Sequence, residues 1–254
     1  FIKINKKLII SCGVLESAKL LMRSKIKNKN LGKRFSCHLS GAVDGLFPRN
    51  KNEIEGTLNA IEIITNDKKF SKFSNQNVPE EILLARLPSL NFDDSFGKLK
   101  KISSWVYNVS SSDKGYIKND IFDYKLNFNI SDNEFLKVKE YIKKISEFLF
   151  SLGAENVFPN ILNKNNSTTN MSEINELLKN IKIGDLLLTA SHLFGTCCIG
   201  KNEDSGVVNE NFKVFNFDNL FIVDASVFPF PTSYNPQLTI MIYAKLASNL
   251  IIHD

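Results

Sequence analysis

Between residues 124 and 153 the spacing of apolar residues changes from a period of two to a helical period. Over 124–130 apolar and polar residues alternate, which is typical of a half-buried antiparallel strand. The next segment has an apolar stripe at helical spacing, made of Phe135, Val138, Ile142, Ile145, Phe148, Leu149 and Leu152. Ser131 and Glu134 match a capping box, and Gly153 suits the left-handed turn that ends a helix. The sequence therefore predicts a strand followed by a long helix whose stripe belongs to the core.

A strand, a turn and a helix are also predicted near the start of the chain. Residues 7–12, KLIISC, form a short apolar run, Gly13 ends it, and ESAKLLMRS follows with apolar residues at helical spacing. Such a unit builds layered α/β sheets. Because the first residue is Phe1 rather than Met and a strand begins so soon after it, we expect a truncation upstream.

The middle of the chain gives weaker signals. Residues 41–48, GAVDGLFP, are predicted to be rich in turns, and residues 56–65 to form a strand that ends near Asn66. Three further elements are predicted: a strand over 103–109, a surface loop over 159–170 and a short helix over 172–180.

Composition places the chain among ordinary globular proteins, with 254 residues, 43% hydrophobic and 23% charged. The net charge of +5 could suit a polyanion, but the lysines are spread along the chain, so we expect no nucleic-acid partner. The four cysteines form no CxxC pair, which favours reduced thiols. No apolar run approaches the ~20 residues of a membrane span, and no leader opens the chain. We therefore expect a cytoplasmic protein without a membrane span.

Most of the chemistry lies in three segments of the last quarter: 191–200, 219–229 and 233–251. The first sets His192 beside a glycine-containing turn, and the second is a buried strand that ends in Asp224. The third is a helix with two local start signals, because Asn235 is a favoured N-cap residue and Pro236 suits the first helical position. The amino terminus of such a helix suits an anion.

These segments resemble the closing signature of the glucose-methanol-choline (GMC) oxidoreductases. The shared order is HLFGTCCIG, then GVV, then a strand ending in DAS, then NP opening the last helix, all within residues 192–251. Weaker similarity covers 7–24, 30–41 and 103–159. The resemblance implies an α/β fold with an α+β substrate part. Residues 1–47 would be the remnant of a Rossmann-like FAD-binding domain, 48–190 a substrate domain with an antiparallel sheet covered by helices, and 191–254 a catalytic segment returning to the FAD-binding domain.

The resemblance also implies an activity, the oxidation of a small-molecule alcohol by hydride transfer to FAD, with the electron acceptor left open. By resemblance, His192 is the general base for the substrate hydroxyl and Asn235 hydrogen-bonds the same oxygen. Imidazole titrates near neutral pH, which suits that role. Flavin contacts carried over in the same way are Asp224, Ala225, Pro236 and Gln237. If Asn235 caps its own helix it cannot also hold substrate, and Thr232 or Ser233 is then the alternative cap.

The chain departs from the family pattern in several places. Cys198, Ile199 and Asn209 replace residues that are usual in the family, at positions not expected to do chemistry. No GxGxxG motif occurs in the sequence, so the nucleotide part of FAD lacks its usual seat. We therefore expect that this chain does not hold FAD alone.

Structural interpretations stay open beside the catalytic ones. His192 could be a hydrogen-bonded structural residue, and Asp224 a strand-end residue that caps a turn. His38, in FSCHLSG, has a counterpart in many family members, and His253 is expected to be solvated. A metal site at His192, Cys197 and Cys198 is disfavoured, because adjacent strand residues point to opposite faces and no second cluster completes a tetrahedral set.

Two other classes of function also remain possible on the sequence alone. One is a non-catalytic interaction fragment of the same family. The other is a polyanion-binding protein, which would show salt-dependent retention on heparin.

Overall fold

The computed structural model describes residues 4–50, 61–64, 72–86, 97–119, 123–162, 167–232 and 234–253. The strands in chain order are β1 Leu8–Ile10, β2 Lys33–Leu46, β3 Glu62–Ile64, β4 Lys72–Gln76, β5 Ile102–Ser110, β6 Gly115–Asn119, β7 Tyr124–Asn127, β8 Asn156–Phe158, β9 Leu193–Thr196 and β10 Leu220–Ile222. The α-helices are α1 Gly13–Arg23, α2 Glu80–Arg86, α3 Asp132–Ser151, α4 Met171–Lys179 and α5 Gln237–His253. Two 3₁₀ turns lie at Ile183–Asp185 and Ala225–Val227. The fold is mixed α/β, as the sequence predicts.

The chain divides into two compact units. Unit 1 contains Phe1–His38, Ser110–Ile130 and Ala190–Asp254, and unit 2 contains Leu39–Val109 and Ser131–Thr189. The segment 110–130 falls in unit 1 because β6 pairs with the first residues of β2 and β7 pairs with β6. The sequence-based division instead assigns 110–130 to the substrate domain, 48–190, and ends the first segment at 47.

Unit 1 contains a two-stranded parallel sheet and an antiparallel one. β1 pairs with β10 in the register Leu8↔Leu220, which joins opposite ends of the sequence. In the antiparallel sheet β2 pairs with both β6 and β9. The core of unit 1 combines apolar residues of α1, β10 and α5 with the loop between β9 and β10, as in Leu21, Phe221 and Ala247. Each of these three is at most 1% exposed, and Ile10 of β1 is 5% exposed, so the predicted strand and helix near the chain start both contribute buried residues to this core.

Unit 2 is an antiparallel sheet with helices. Its strands run in the order β3-β4-β5-β2, and β8 pairs with the end of β2. The predicted strand at 103–109 and the long helix are both present, and the helix α3 begins at the predicted cap, since Ser131 accepts from the Glu134 backbone at 3.4 Å. Phe148 of α3 packs edge-on against Trp105 of β5, with ring centroids 4.8 Å apart. Gly153 has φ +87°, as the predicted helix end requires.

The expectation of a turn-rich stretch at 41–48 is wrong, because β2 continues to Leu46. Its glycines serve close packing rather than chain reversal. A Cβ at Gly41 would lie 2.1 Å from the Tyr107 hydroxyl, and one at Gly45 would lie 3.0 Å from Leu149. Glycine inside a strand often marks such an approach, and the sequence alone does not separate it from a turn.

Some of the remaining predicted elements lie only partly within the described residues. Only Ile61–Ile64 of the predicted strand at 56–65 lies among the described residues, and there Glu62–Ile64 forms β3. The predicted helix over 172–180 is α4, capped by Asn170 rather than by a residue within the predicted range. The predicted loop at 159–170 is described except for 163–166. No helix among the described residues is both long and apolar enough to cross a bilayer.

Candidate active site

Two histidines of unit 1 face each other across neighbouring strands. The β2–β9 ladder sets Cys37 opposite Leu193, and the His38 backbone N–H donates to the His192 carbonyl at 3.0 Å. This register brings the Nδ1 atoms of the two imidazoles to 3.1 Å. The planes of the two rings are at 88° to each other, and the Phe194 ring packs against the His38 ring with centroids 5.2 Å apart. His38 is 1% exposed and His192 is partly buried, so the pair has one enclosed and one more accessible member.

The segment before α5 is anchored to this pair through the Thr232 backbone. The Thr232 carbonyl lies 2.7 Å from His38 Nε2 and accepts from the Ser110 hydroxyl at 3.3 Å. The Thr232 hydroxyl in turn donates to the Tyr234 carbonyl at 2.5 Å. Asn235 follows directly in the chain, so the predicted catalytic histidine and the segment carrying the predicted catalytic amide share one anchor, His38.

The amino terminus of α5 presents polar, uncharged groups. Pro236 is buried, whereas Asn235 and Gln237 are exposed. The helix begins at Gln237, one residue later than predicted, and Pro236 supplies the carbonyl that accepts from Ile240 N–H at 2.8 Å. The first turn holds no acidic residue. The partial positive charge of this helix end is therefore not offset by a carboxylate of its own first turn.

Asp224 lies at the centre of a set of hydrogen bonds that closes the turn after β10. One carboxylate oxygen accepts from Gly13 N–H at 3.0 Å and from the Ser17 hydroxyl at 2.5 Å, and the other accepts from Ser226 N–H at 2.8 Å. It thus caps the 3₁₀ turn that Ala225 begins and ties it to the start of α1. Three donors occupy most of its acceptor capacity. This arrangement agrees with the turn-capping interpretation of Asp224, and a cofactor contact from this turn would come from the backbone.

The cysteines are thiols, three of them buried. Cys37, Cys197 and Cys198 are at most 2% exposed, and Cys12 is exposed. Burial raises the pKa of Cys37 to about 11 and that of Cys197 to about 12. Among the described residues, no group of three or more His, Cys, Asp and Glu side chains could hold a metal ion.

The donor set fits the ring of a flavin better than its nucleotide part. Two imidazoles, the amides of Asn235 and Gln237, and a helix amino terminus without a first-turn acid favour an electron-rich group with carbonyl oxygens. For a pyrophosphate the sequence offers no GxGxxG turn. Groups that could hydrogen-bond a flavin ring are therefore found among the described residues, whereas the motif that usually holds the dinucleotide does not occur in this sequence.

The sequence points to His192 as a site residue, whereas His38 is only a weaker candidate for a contact with flavin or substrate. The available signal was an imidazole in a strand-like run, FSCHLSG. The Thr232 contact had no signal at all, because its acceptor is a backbone carbonyl that every residue carries.

Comparison with known proteins agrees with the resemblance seen in the sequence. A family model described as GMC oxidoreductase matches residues 110–244. Long-chain-alcohol oxidase FAO1 of Arabidopsis thaliana is 23% identical over 98% of this chain and 36% of its own length. Among solved structures, pyridoxine 4-oxidase from Mesorbium loti has a TM-score of 0.66 at 16% identity, over 98% of this chain and 52% of that one. A formate oxidase of Aspergillus oryzae RIB40, whose structure concerns FAD modification, has a TM-score of 0.67 at 16% identity, over 97% and 54%.

The chain thus spans about half or less of the length of these proteins. The matched segment contains His192, the Asp224 turn and the start of α5, and it covers more than half of the 254 residues. The chain belongs to the GMC oxidoreductase family.

Proposed function

We propose that this chain forms the substrate-facing part of an FAD-dependent oxidoreductase that oxidises a small-molecule alcohol. Family membership supports a redox function, and the relative named as a long-chain-alcohol oxidase supports an alcohol as the donor. The observation that carries the proposal is the partly buried His192, whose Nδ1 lies 3.1 Å from that of His38. His38 in turn contacts Thr232, in the segment that precedes α5. The proposal also includes the division of the chain into a remnant of the FAD-binding domain (1–47), a substrate domain (48–190) and a catalytic segment (191–254).

In the proposed reaction His192 is the general base. It accepts the proton of the substrate hydroxyl, a role that typically contributes about 10²- to 10⁴-fold to the rate. The exposed amide of Asn235 hydrogen-bonds the same oxygen and holds it in place without changing the charge. When bound, FAD would supply the two-electron acceptor for the hydride that leaves the alcohol carbon. The amino terminus of α5, with Pro236 and Gln237, and the backbone of Asp224 and Ala225 would face the flavin.

The experiment compares flavin reduction in the FAD-loaded protein that contains this chain. His192→Ala should slow the reduction of flavin by alcohol by about 10²-fold or more while the flavin stays bound. His253→Ala, a substitution at the last residue of α5, is the matched control and should leave the rate unchanged. Flavin content and far-UV circular dichroism establish that each variant is folded and loaded. Reduction of His192→Ala at the wild-type rate would exclude His192 as the base.

A further inference from the structure

His38 has a hydrogen-bonding pattern that fixes where its proton lies. Its Nε2 is 2.7 Å from the Thr232 carbonyl oxygen, which has no proton to donate. Nε2 must therefore carry a hydrogen and donate it. In the neutral form of this buried ring, which is 1% exposed, Nδ1 then holds a lone pair.

The proton position on His38 determines that on His192. The two Nδ1 atoms are 3.1 Å apart, and a hydrogen bond between them needs one donor and one acceptor. Since His38 Nδ1 is the acceptor, His192 Nδ1 is the donor. His192 Nε2 then holds the lone pair that can accept a proton.

The surroundings of His38 keep this arrangement in place. Phe194 lies against its ring, and the backbone hydrogen bond from His38 to His192 fixes the distance between the two strands at this point. The Ser110 hydroxyl donates to the same Thr232 carbonyl, which holds the acceptor where His38 needs it. One buried side chain thus orients His192 and anchors the segment that leads to Asn235.

We propose that His38 is a positioning residue that holds His192 with its proton on Nδ1, so that Nε2 is the atom that takes the proton of the alcohol. This inference rests on the proposed function of His192. When Nε2 binds the proton, the Nδ1–H of His192 continues to donate to His38, which stabilises the new positive charge. No further reactant is needed, because the proton only moves from the substrate oxygen to Nε2.

The test combines imidazole NMR with flavin reduction in the FAD-loaded protein. In protein with ¹⁵N-labelled histidine, long-range ¹H–¹⁵N spectra distinguish the two neutral tautomers, and the His192→Ala spectrum assigns the signal. We expect wild-type His192 to carry its proton on Nδ1. A signal showing the proton on Nε2 would overturn the proposal without any kinetic measurement.

Two variants of His38 separate positioning from simple packing. His38→Leu fills the space but offers no acceptor, whereas the Asn of His38→Asn carries a carbonyl oxygen close to the position of the imidazole Nδ1. We expect His38→Leu to shift the His192 proton toward Nε2 and to slow flavin reduction by about 10- to 100-fold, the loss seen when a metal-bound histidine loses the partner that orients it. His38→Asn should keep the Nδ1 proton and recover most of the rate.

Each outcome decides one question. Equal loss of rate in both variants with an unchanged His192 tautomer would show that His38 only packs. If His38→Leu does not fold, the wild-type spectrum and His38→Asn still decide. If His192→Ala reduces flavin normally, the proposed function fails. If His192→Ala is slow but wild-type His192 is protonated on Nε2, only the role of His38 fails.

Discussion

Replacement of Gly41 by alanine should destabilise unit 2, because β2 passes too close to Tyr107 for a side chain. The added Cβ would lie 2.1 Å from the Tyr107 hydroxyl and 2.4 Å from Cζ, well inside the 3.4–4 Å of ordinary contact. Tyr107 is 2% exposed and stacks on Tyr141, with ring centroids 5.6 Å apart. The Tyr141 hydroxyl is itself fixed, since it accepts from the Lys72 backbone at 3.1 Å. The ring therefore has little room to retreat.

The expected cost follows from two opposing effects. Overpacking a tight site typically costs 1–3 kcal/mol, so we take about 2–3 kcal/mol here. Removing a glycine from a strand returns about 0.5–1 kcal/mol. The free energy of unfolding should therefore fall by about 1–2.5 kcal/mol, which lowers the melting temperature by roughly 2–4 °C per kcal/mol. Thermal unfolding followed by circular dichroism measures the shift.

Two further variants make the Gly41 test specific. At Gly184, also in unit 2, an added Cβ meets nothing within 4 Å, so Gly184→Ala should be neutral or slightly stabilising. Tyr107→Phe removes the nearest atom, so the double variant with Gly41→Ala should show a favourable coupling of about 0.5 kcal/mol or more. If Gly41→Ala behaves like Gly184→Ala, β2 does not approach Tyr107 as described.

Three other predictions concern buried or capped groups. Burial raises the pKa of the Asp44 carboxyl above its ordinary value of 3.8, so the folded state keeps a proton that the unfolded state loses, and stability falls as pH rises through the folded pKa. In Asp44→Asn, the free energy of unfolding measured in urea should no longer show this fall between pH 4 and 8. The same pH dependence in the variant and the wild type would contradict the prediction. Asp224→Ala should lower the free energy of unfolding by about 2 kcal/mol or more, since hydrogen bonds to a charged group contribute ~1.5–3 kcal/mol. Denaturation should show a much smaller effect for Asp218→Ala, because Asp218 is exposed. Alkylation of the native protein at pH 8, followed by peptide mapping, should label exposed Cys12 and spare the buried thiols, and labelling of any buried thiol before unfolding would argue against its burial. Those thiols are Cys37, Cys197 and Cys198.

The features that the sequence determined by itself are local or linear. α3 was predicted with both ends, because its stripe and its capping residue Ser131 act within a few residues of one another. The strand and helix at the chain start were predicted for the same reason. Family membership could be inferred because the closing signature is an order of motifs along the chain, which needs no knowledge of contacts.

Tertiary structure decided what depends on distant partners. The sequence predicts a turn at Gly41, because Tyr107, whose ring leaves no room for a side chain there, lies on another strand. His38 and His192 are 154 positions apart, and nothing in either neighbourhood specifies the other. Asp224 reaches Gly13 across 211 positions, so its hydrogen-bond partners cannot be predicted from its neighbours in sequence. Periodicity and capping record interactions between neighbours in sequence, whereas a side chain's hydrogen-bond partners and the space beside a glycine are set by segments that only folding brings together.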